Sequence, residues 1–328
     1  MTAAVVTIIV VPRERFSYTQ KSLDSIYENT RIPFELIYVD GNSPDHVKEY
    51  LESQSTQKGF RLIRTEHYLA PNQARNLALP HVKTRYVVLI DNDVLVTPGW
   101  LDTLVNSAEE TGAWLVGPLT LFGSEFKIVH MAGGTIDIQE KQGKNWMTQK
   151  RPYMHHPLDA VRDKIKPGYT DILELHCMLA RTDVFTETGP FDEQFMSMCE
   201  EDDLSMTVAN AGHKLYFEPN SVVSYVAPSP TDVDWSDLPF FFVRWSNAWC
   251  QSSVERAQSK WNLTEDSPFL GNTRYFVKIH RDFVNPRPKQ QPLKFLAYAL
   301  KRVFFFDIIR KRMDNKAAQL LAQSETPA

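Results

Sequence analysis

Apolar residues in this chain come as short uninterrupted runs, each closed by turn formers and followed by a stretch of helical spacing. Val5–Val11 is a continuous, largely β-branched run, the pattern of a strand buried on both faces. Thr19–Asn29 carries helical spacing in Leu23, Ile26 and Tyr27, and Phe34–Val39 is a second strand. That strand ends in Asp40-Gly41-Asn42-Ser43-Pro44-Asp45, a cluster of turn residues. Val47–Gln54 reads as a helix, Arg61–Thr65 as a short strand and Asn72–Ala78 as a helix. Tyr86–Ile90 is another buried strand, stopping at Asp91. This alternation predicts an α/β chain with a mostly parallel central sheet flanked by helices on both faces. Ligands of such sheets bind at the carboxyl ends of the strands. Asp40 and Asp91 both stand there, each straight after an apolar run.

Further along, Trp100–Glu110 is a predicted helix and Trp114–Pro118 a strand. Residues 120–170, punctuated by glycine and proline, read as irregular. Ile172–Arg181 looks like a strand, Asp203–Asn210 a helix ended by Gly212, and Lys214–Glu218 and Val222–Val226 two closing strands. The stretch from Ala227 to Asp232 reads as a linker. It divides the chain into a catalytic domain, 1–228, and a helical C-terminal region, 229–328, with predicted helices at Trp235–Lys260 and Leu293–Met313. There is no internal repeat or low-complexity tract.

Composition narrows the function. A hydrophobic content of 43% over 328 residues excludes a disordered chain and suffices for a sizeable core. Three scattered cysteines, with no C-x-x-C, argue against a disulfide scaffold or a zinc cluster and favour a reduced, cytoplasmic compartment. The opening apolar stretch lacks a basic leader and reaches Pro12 quickly, so it reads as a strand rather than a signal peptide. No run approaches the ~18 uninterrupted apolar residues of a membrane span. Charge is uneven: residues 1–228 hold 21 Lys and Arg against 30 Asp and Glu, and residues 229–328 hold 15 against 10. An acidic first domain argues against nucleic acid as a partner, which needs a basic surface along the phosphates.

Two acidic clusters carry candidate chemistry. Asp91-Asn92-Asp93 closes the buried run Val87–Ile90. Two carboxylates one residue apart at a strand end suit a hard divalent ion, Mn2+ or Mg2+, shared with substrate phosphates. Elsewhere in sequence such a pair is a plain acidic turn. Glu200-Glu201-Asp202-Asp203 precedes a helix, where one acid, Asp202 or Asp203, serves as the cap. Capping needs one or two acids, and crowding four raises at least one pKa, as a general base requires. Arg75, in Asn72-Gln73-Ala74-Arg75-Asn76, offers a fork of donors to phosphate, although most helical arginines are simply solvated.

In this order the motifs resemble the family 2 glycosyltransferases, inverting enzymes of GT-A fold, from about Val6 to Val226. The first strand and Pro12-Arg13 look like the family's first nucleotide-binding strand, and Tyr38–Asp45 like its V-D-[DN]-x-S-x-D segment, which implies that Asp40 meets the base. Ala74-Arg75-Asn76 is similar to its A-R-N element. Leu89–Asp93 matches its D-x-D strand end, which implies donor contact through Asp91, Asn92 and Asp93 and metal ligation by Asp93 and Asp91. Glu200–Leu204 resembles its E-[DE]-x-D-L motif, which places Glu201 as the base and Asp202 as the rival. One departure is that Tyr225 stands where the family often carries a histidine in its closing strand. A phenol is a poor ligand at neutral pH, so metal coordination is expected to rest on Asp93, diphosphate and water.

The resemblance implies transfer of a sugar from a nucleotide-diphosphate donor to a hydroxyl of a glycan, polysaccharide or lipid-linked acceptor, by single displacement. Two alternatives stay open: a nucleotidyltransferase, and a non-catalytic sugar- or nucleotide-binding module. An early Gly-rich phosphate loop would favour the first, but Pro12-Arg13-Glu14-Arg15 is none. His130, His155 and His156 fall in the irregular region and read as surface or acceptor-site residues rather than ligands. The run Phe240–Phe242 with Trp245 and Trp249 reads as helix core rather than a sugar platform. Residues 287–316 carry nine Lys and Arg against Asp307 and Asp314, interleaved with aromatics and aliphatics. That pattern reads as a peripheral contact with the inner face of a membrane, with an ordinary packed helix as the competing reading.

Overall fold

A computed structural model describes residues 4–228, 232–284 and 307–324. The opening half alternates as expected: β1 (Val6–Val11), α1 (Thr19–Asn29), β2 (Phe34–Gly41), α2 (Asp45–Lys58), β3 (Arg61–Thr65), α3 (Pro71–Ala78), β4 (Tyr86–Asp91). β4, β1, β2 and β3 lie side by side and parallel. Every residue of β1 and β4 is buried, and the side chains divide by the strand period of two. Ile8, Val10, Val88 and Ile90 join Leu23, Ile26 and Leu51 of α1 and α2 on one face. Ile9, Val11, Val87 and Leu89 join Ala74 and Ala78 of α3 on the other. Each such aliphatic side chain contributes ~1.5–3 kcal/mol by leaving water, so this sandwich fixes where the strand ends point.

The second half follows with β5 (Val94–Val96), α4 (Trp100–Thr111), β6 (Leu115–Phe122), β7 (Ile128–Met131), β8 (Thr135–Lys141), β9 (Lys144–Lys150), a single turn α5 (Leu158–Val161), β10 (Gly168–Thr170), β11 (Cys177–Arg181) and α6 (Asp183–Glu187). Then come α7 (Glu200–Asn210), β12 (Leu215–Tyr225), α8 (Leu238–Arg244), α9 (Asn247–Lys260), α10 (Pro268–Phe283) and α11 (Asp307–Ser324). β11 runs antiparallel between β4 and β6, and β12 lies parallel to β6, so the sheet is mixed, in the order β10-β12-β6-β11-β4-β1-β2-β3.

Three sequence expectations need correction. Residues 120–170 are not irregular: they hold β7, β10 and the hairpin β8–β9. Gln142 and Gly143 turn that hairpin with φ of 53° and 74°, as a tight primed turn requires. The two closing strands are one, β12, with a register shift between Glu218 and Val222. The long helix Trp235–Lys260 is two, because Trp245 ends α8 and Ser246 caps α9, its hydroxyl accepting from Trp249 N at 3.2 Å.

Phe240, Phe241, Phe242, Trp245 and Trp249 are buried, as core residues should be. Phe240 packs into the first cluster, and the other four belong to a third that unites α8–α11 with Phe195, Met196, Cys199 and, from α7, Met206. The membrane-contact region 287–316 lies for the most part outside the described residues; its described end, 307–316, belongs to α11, where Met313 is buried in that cluster. Among the described residues no helix is long and apolar enough to cross a membrane.

Candidate active site

The site is assembled at the carboxyl ends of β1, β2 and β4, where chain geometry brings Pro12-Arg13, Asp40 and Asp91–Asp93 together. Pro12 is buried against Gly41, where an added Cβ would sit 3.2 Å from Pro12 Cγ. Glycine permits this approach of the two strand ends. Asp40 is 1% exposed. Its carboxylate accepts from Ser43 N and Ser43 Oγ, both at 2.9 Å, and from Arg64. Asn92 is a brace: its amide donates to Arg15 O at 2.8 Å, and its Oδ1 accepts from Arg13 N at 3.1 Å. The loop after β1 is thereby tied to the end of β4.

Asp91 and Asp93 differ although both are 0% exposed. Asp91 is surrounded: Oδ1 accepts from Arg75 Nη2 at 3.2 Å, Oδ2 from His176 Nδ1 at 2.9 Å, and Arg13 Nε stands 3.7 Å away. Arg75, also bonded to Asn72 Oδ1 at 3.1 Å, is 1% exposed, so it is a buried support for Asp91 rather than a solvated helix residue. Both oxygens of Asp93 lack a hydrogen-bond partner among the described residues. Burial, with Glu14 and Asp91 adding like charge, pushes its carboxyl well above the usual range. A buried carboxylate without a partner is costly, and a cation removes that cost. Asp91, Asp93 and His176 offer ligand atoms within 4.8 Å of one another, so the residues fit a divalent ion.

The four acids of α7 are all buried, at 2%, 4%, 4% and 7% exposure in chain order. None caps the helix: the N-cap position is Cys199, in left-handed conformation at φ 72°, without a side-chain cap. The four acids instead meet partners from α8, from the end of α9 and from the end of β9, the last shared by Glu201 and Asp202. Glu200 pairs with Arg244 at 2.8 Å, and Asp203 with Lys260 at 2.8 Å and Trp261 Nε1 at 3.0 Å. Glu201 accepts from Arg151 Nη2 at 3.3 Å, and Asp202 from Gln149 Nε2 at 2.6 Å. Burial, then the charge of Glu201, pushes Asp202 up to about 7.

Glu201 and Asp202 line a cavity of about 380 Å³ together with Arg13, Arg151, Glu174 and His176. Phe269, Asn272, Thr273 and Phe276 of α10 form another wall. Glu174 is 4% exposed, accepts from Arg151 Nη1 at 3.0 Å, and is pushed up to about 8 by burial and then by Glu201.

Sequence reasoning passed over Glu174, His176 and Glu14, and read His130 as a non-ligand. The structure sets His130 on β7, its ring centroid 5.1 Å from that of His176, in a group with Glu174 and His176 able to hold a metal ion. Burial pushes both imidazoles well below their usual value, so both are neutral. Tyr225 stacks on His176 with centroids 3.9 Å apart, and an imidazole thus stands beside the phenol after all, supplied by the approach to β11. The readable signal was Leu173-Glu174-Leu175-His176-Cys177, two ionisable residues alternating inside an apolar run. Glu14 is 0% exposed and accepts from Tyr225 OH, from Trp245 Nε1 at 2.6 Å and from His280 Nε2 at 2.7 Å. Burial works against its ionisation, but His280, by charge and hydrogen bond, holds the Glu14 carboxyl at about 2.

Comparison with known proteins gives one family and one fold. The profile described as Glycosyl transferase family 2 matches residues 7–185. An uncharacterized glycosyltransferase of Haemophilus influenzae is 24% identical over 194 residues, 58% of this chain and 58% of that protein. The O-antigen biosynthesis protein RfbC of Myxococcus xanthus is 26% identical over 205 residues, 60% of this chain but 15% of that protein. The chain therefore spans well under two thirds of the length of either relative. Among solved structures, the mannosyltransferase PcManGT of Pyrobaculum calidifontis, in complex with GDP-Man and Mn2+, aligns with a TM-score of 0.53 at 14% identity. That alignment covers 99% of this chain and 89% of the mannosyltransferase, which establishes the GT-A fold.

Proposed function

This chain belongs to glycosyl transferase family 2, and on that premise we propose that it moves a sugar from a nucleotide-diphosphate donor to an acceptor hydroxyl by single displacement. The observation that carries the proposal is Asp93, a buried carboxylate with both oxygens unpartnered at the end of β4, beside a cavity walled by Glu201 and Asp202. The fold neighbour with GDP-Man and Mn2+ supports a nucleotide-sugar donor and a divalent ion. The O-antigen relative supports a glycan or lipid-linked acceptor.

Asp93 and Asp91 would hold the ion, with the Asp91 carboxylate oriented by His176 Nδ1 at 2.9 Å. Once bound, it supplies neutralisation of the diphosphate charge as the bond to the sugar breaks. Arg13, at the cavity wall, adds positive charge on the same side, and its backbone N–H, held by Asn92, keeps the donor loop in place. Glu201 takes the proton of the acceptor hydroxyl, a role worth ~10²–10⁴-fold in rate. Arg151, bridging Glu174 at 3.0 Å and Glu201 at 3.3 Å, aims that carboxylate. Asp202, bonded to Gln149, is the alternative base.

A donor screen tests the proposal: release of nucleoside diphosphate from UDP-, GDP- and dTDP-sugars, with Mn2+ or Mg2+ and with chelator. Turnover that needs the ion and is lost in Asp93→Ala is the expected result. Full turnover in excess chelator contradicts the metal role, and no release from any nucleotide sugar contradicts the reaction.

A further inference from the structure

His176 faces two ways. Its Nδ1 lies 2.9 Å from Asp91 Oδ2, a contact that places the ring proton on Nδ1. The lone pair is then on Nε2, which points to the other side, 4.0 Å from Glu174 Oε1. His130 reaches the same spot from β7, its Nε2 3.8 Å from Glu174 Oε2. Both separations are too long for hydrogen bonds, and among the described residues neither His176 Nε2 nor His130 makes one. These atoms open onto the cavity, where a ligand from solution can reach them. With Glu174 they offer three ligand atoms that lie within 4.8 Å of one another.

The geometry points to a second cation site, formed by His130, Glu174 and His176 and separate from the Asp91–Asp93 pair. Its three residues line the cavity, whereas Asp91 and Asp93 are not among the lining residues. Both flanking contacts match what metal ligands receive from their surroundings: a carboxylate on the far nitrogen of a ligating histidine, and a hydrogen bond to a ligating carboxylate. Asp91 does the first for His176. Arg151 does the second for Glu174, donating to Oε2 at 3.0 Å and leaving Oε1 free. Two imidazoles and one carboxyl group select Zn2+ or Co2+ over Mg2+, which prefers oxygen. Ligand atoms bound at ~2.1 Å lie about 3.4 Å apart around a tetrahedral ion, so small side-chain rotations complete the site. With three protein ligands, the remaining coordination positions belong to water or to an oxygen of whatever enters the cavity, beside Glu201.

The test is metal binding by the full chain, independent of turnover. Metal-free protein is dialysed against Co2+ and Zn2+, with elemental analysis for the ion count and visible absorption of Co2+ for imidazole ligation. The inference expects two ions per chain, falling to one, with loss of the imidazole-type band, in His130→Asn. Glu174→Gln gives the same result with the cavity volume kept, and circular dichroism confirms that each variant is folded. Asp93→Asn loses the other ion and retains the band. An ion count and a spectrum left unchanged in both folded variants, whether the unaltered protein holds one ion or two, overturn the second site. Asp93→Asn without effect beside a positive His130→Asn result refutes the donor-side ion alone.

Discussion

Asp93 is expected to cost the metal-free protein stability. Its side chain is 0% exposed and neither oxygen has a partner, so ionisation leaves a bare charge beside Glu14 and Asp91. Burial and those like charges place the folded pKa well above the unfolded one. Relative to an unperturbed carboxyl, the protonated form therefore carries no penalty at low pH. The penalty grows as the pH rises from the unfolded value near ~4 toward the folded one. Each unit in that window costs about 1.4 kcal/mol, which sets a ceiling of about 4 kcal/mol at neutral pH. Asp93→Asn removes the charge and keeps the shape. In chelator at pH 8 the variant should melt higher than the unaltered protein, by roughly 2–4 °C per kcal/mol recovered, and the gap should narrow at pH 5. Mn2+ should raise the melting temperature of the unaltered protein by more than that of the variant, which has lost the Asp93 ligand. Thermal melts at both pH values, with chelator and with Mn2+, measure all four quantities. A variant that melts lower at pH 8 in chelator, or a gap indifferent to pH, would refute the reasoning.

Glu201→Gln should retain donor affinity and lose roughly 10²-fold or more in kcat, and Asp202→Asn should be much milder; steady-state kinetics with the reverse ranking would move the base to Asp202. Glu14→Gln should cost ~1–3 kcal/mol in denaturant unfolding at neutral pH, because Tyr225, Trp245 and His280 lose their shared acceptor. Since Glu14 is held at about 2 in the fold, its contribution is present above the unfolded value near ~4 and vanishes as the pH falls through the folded one, and the deficit of the variant should shrink likewise. Arg244→Met should cost ~3–5 kcal/mol by stranding the fully buried Glu200, with much of it recovered in the double variant with Glu200→Gln.

The central strands were legible because they are buried on both faces, and a run such as Val87–Ile90 has no other reading at that length. The hairpin β8–β9 was not: six of the seven residues of β8 are exposed, and Ile136 and Ile138 alone alternate with polar neighbours, too short a pattern to mark a strand. Asp40, Asp91 and Asp93 were found because a turn or a charge straight after an apolar run locates a strand end. His130 lies more than forty residues before Glu174 and His176 and meets them only through the placing of β7 and β11 on the sheet, which single-sequence patterns do not encode. The four acids of α7 were seen as a cluster, but their partners, Arg151, Arg244 and Lys260, come from three different segments. Capping was the local explanation, and tertiary pairing replaced it.

The family match ends at residue 185, before α7, α8 and α10, and the physical connection across that limit runs through Glu14. This residue sits on the loop after β1, inside the matched part, yet all three of its hydrogen-bond donors, Tyr225, Trp245 and His280, lie beyond it. Asp237, at the start of α8, adds a second tie by accepting from Phe16 N at 2.7 Å and Ser17 N at 2.9 Å. The loop that presents Arg13 to the cavity is therefore held from both sides: by Asn92 from the sheet and by α8 and α10 from the helices. The same α10 supplies Phe269, Asn272, Thr273 and Phe276 to the cavity wall. Donor-side geometry and the shape of the opposite wall are thus mechanically one unit. A substitution in α10 that moves His280 should disturb the Arg13 loop as well as the cavity, whereas a change on the distal, exposed side of α2 should disturb neither.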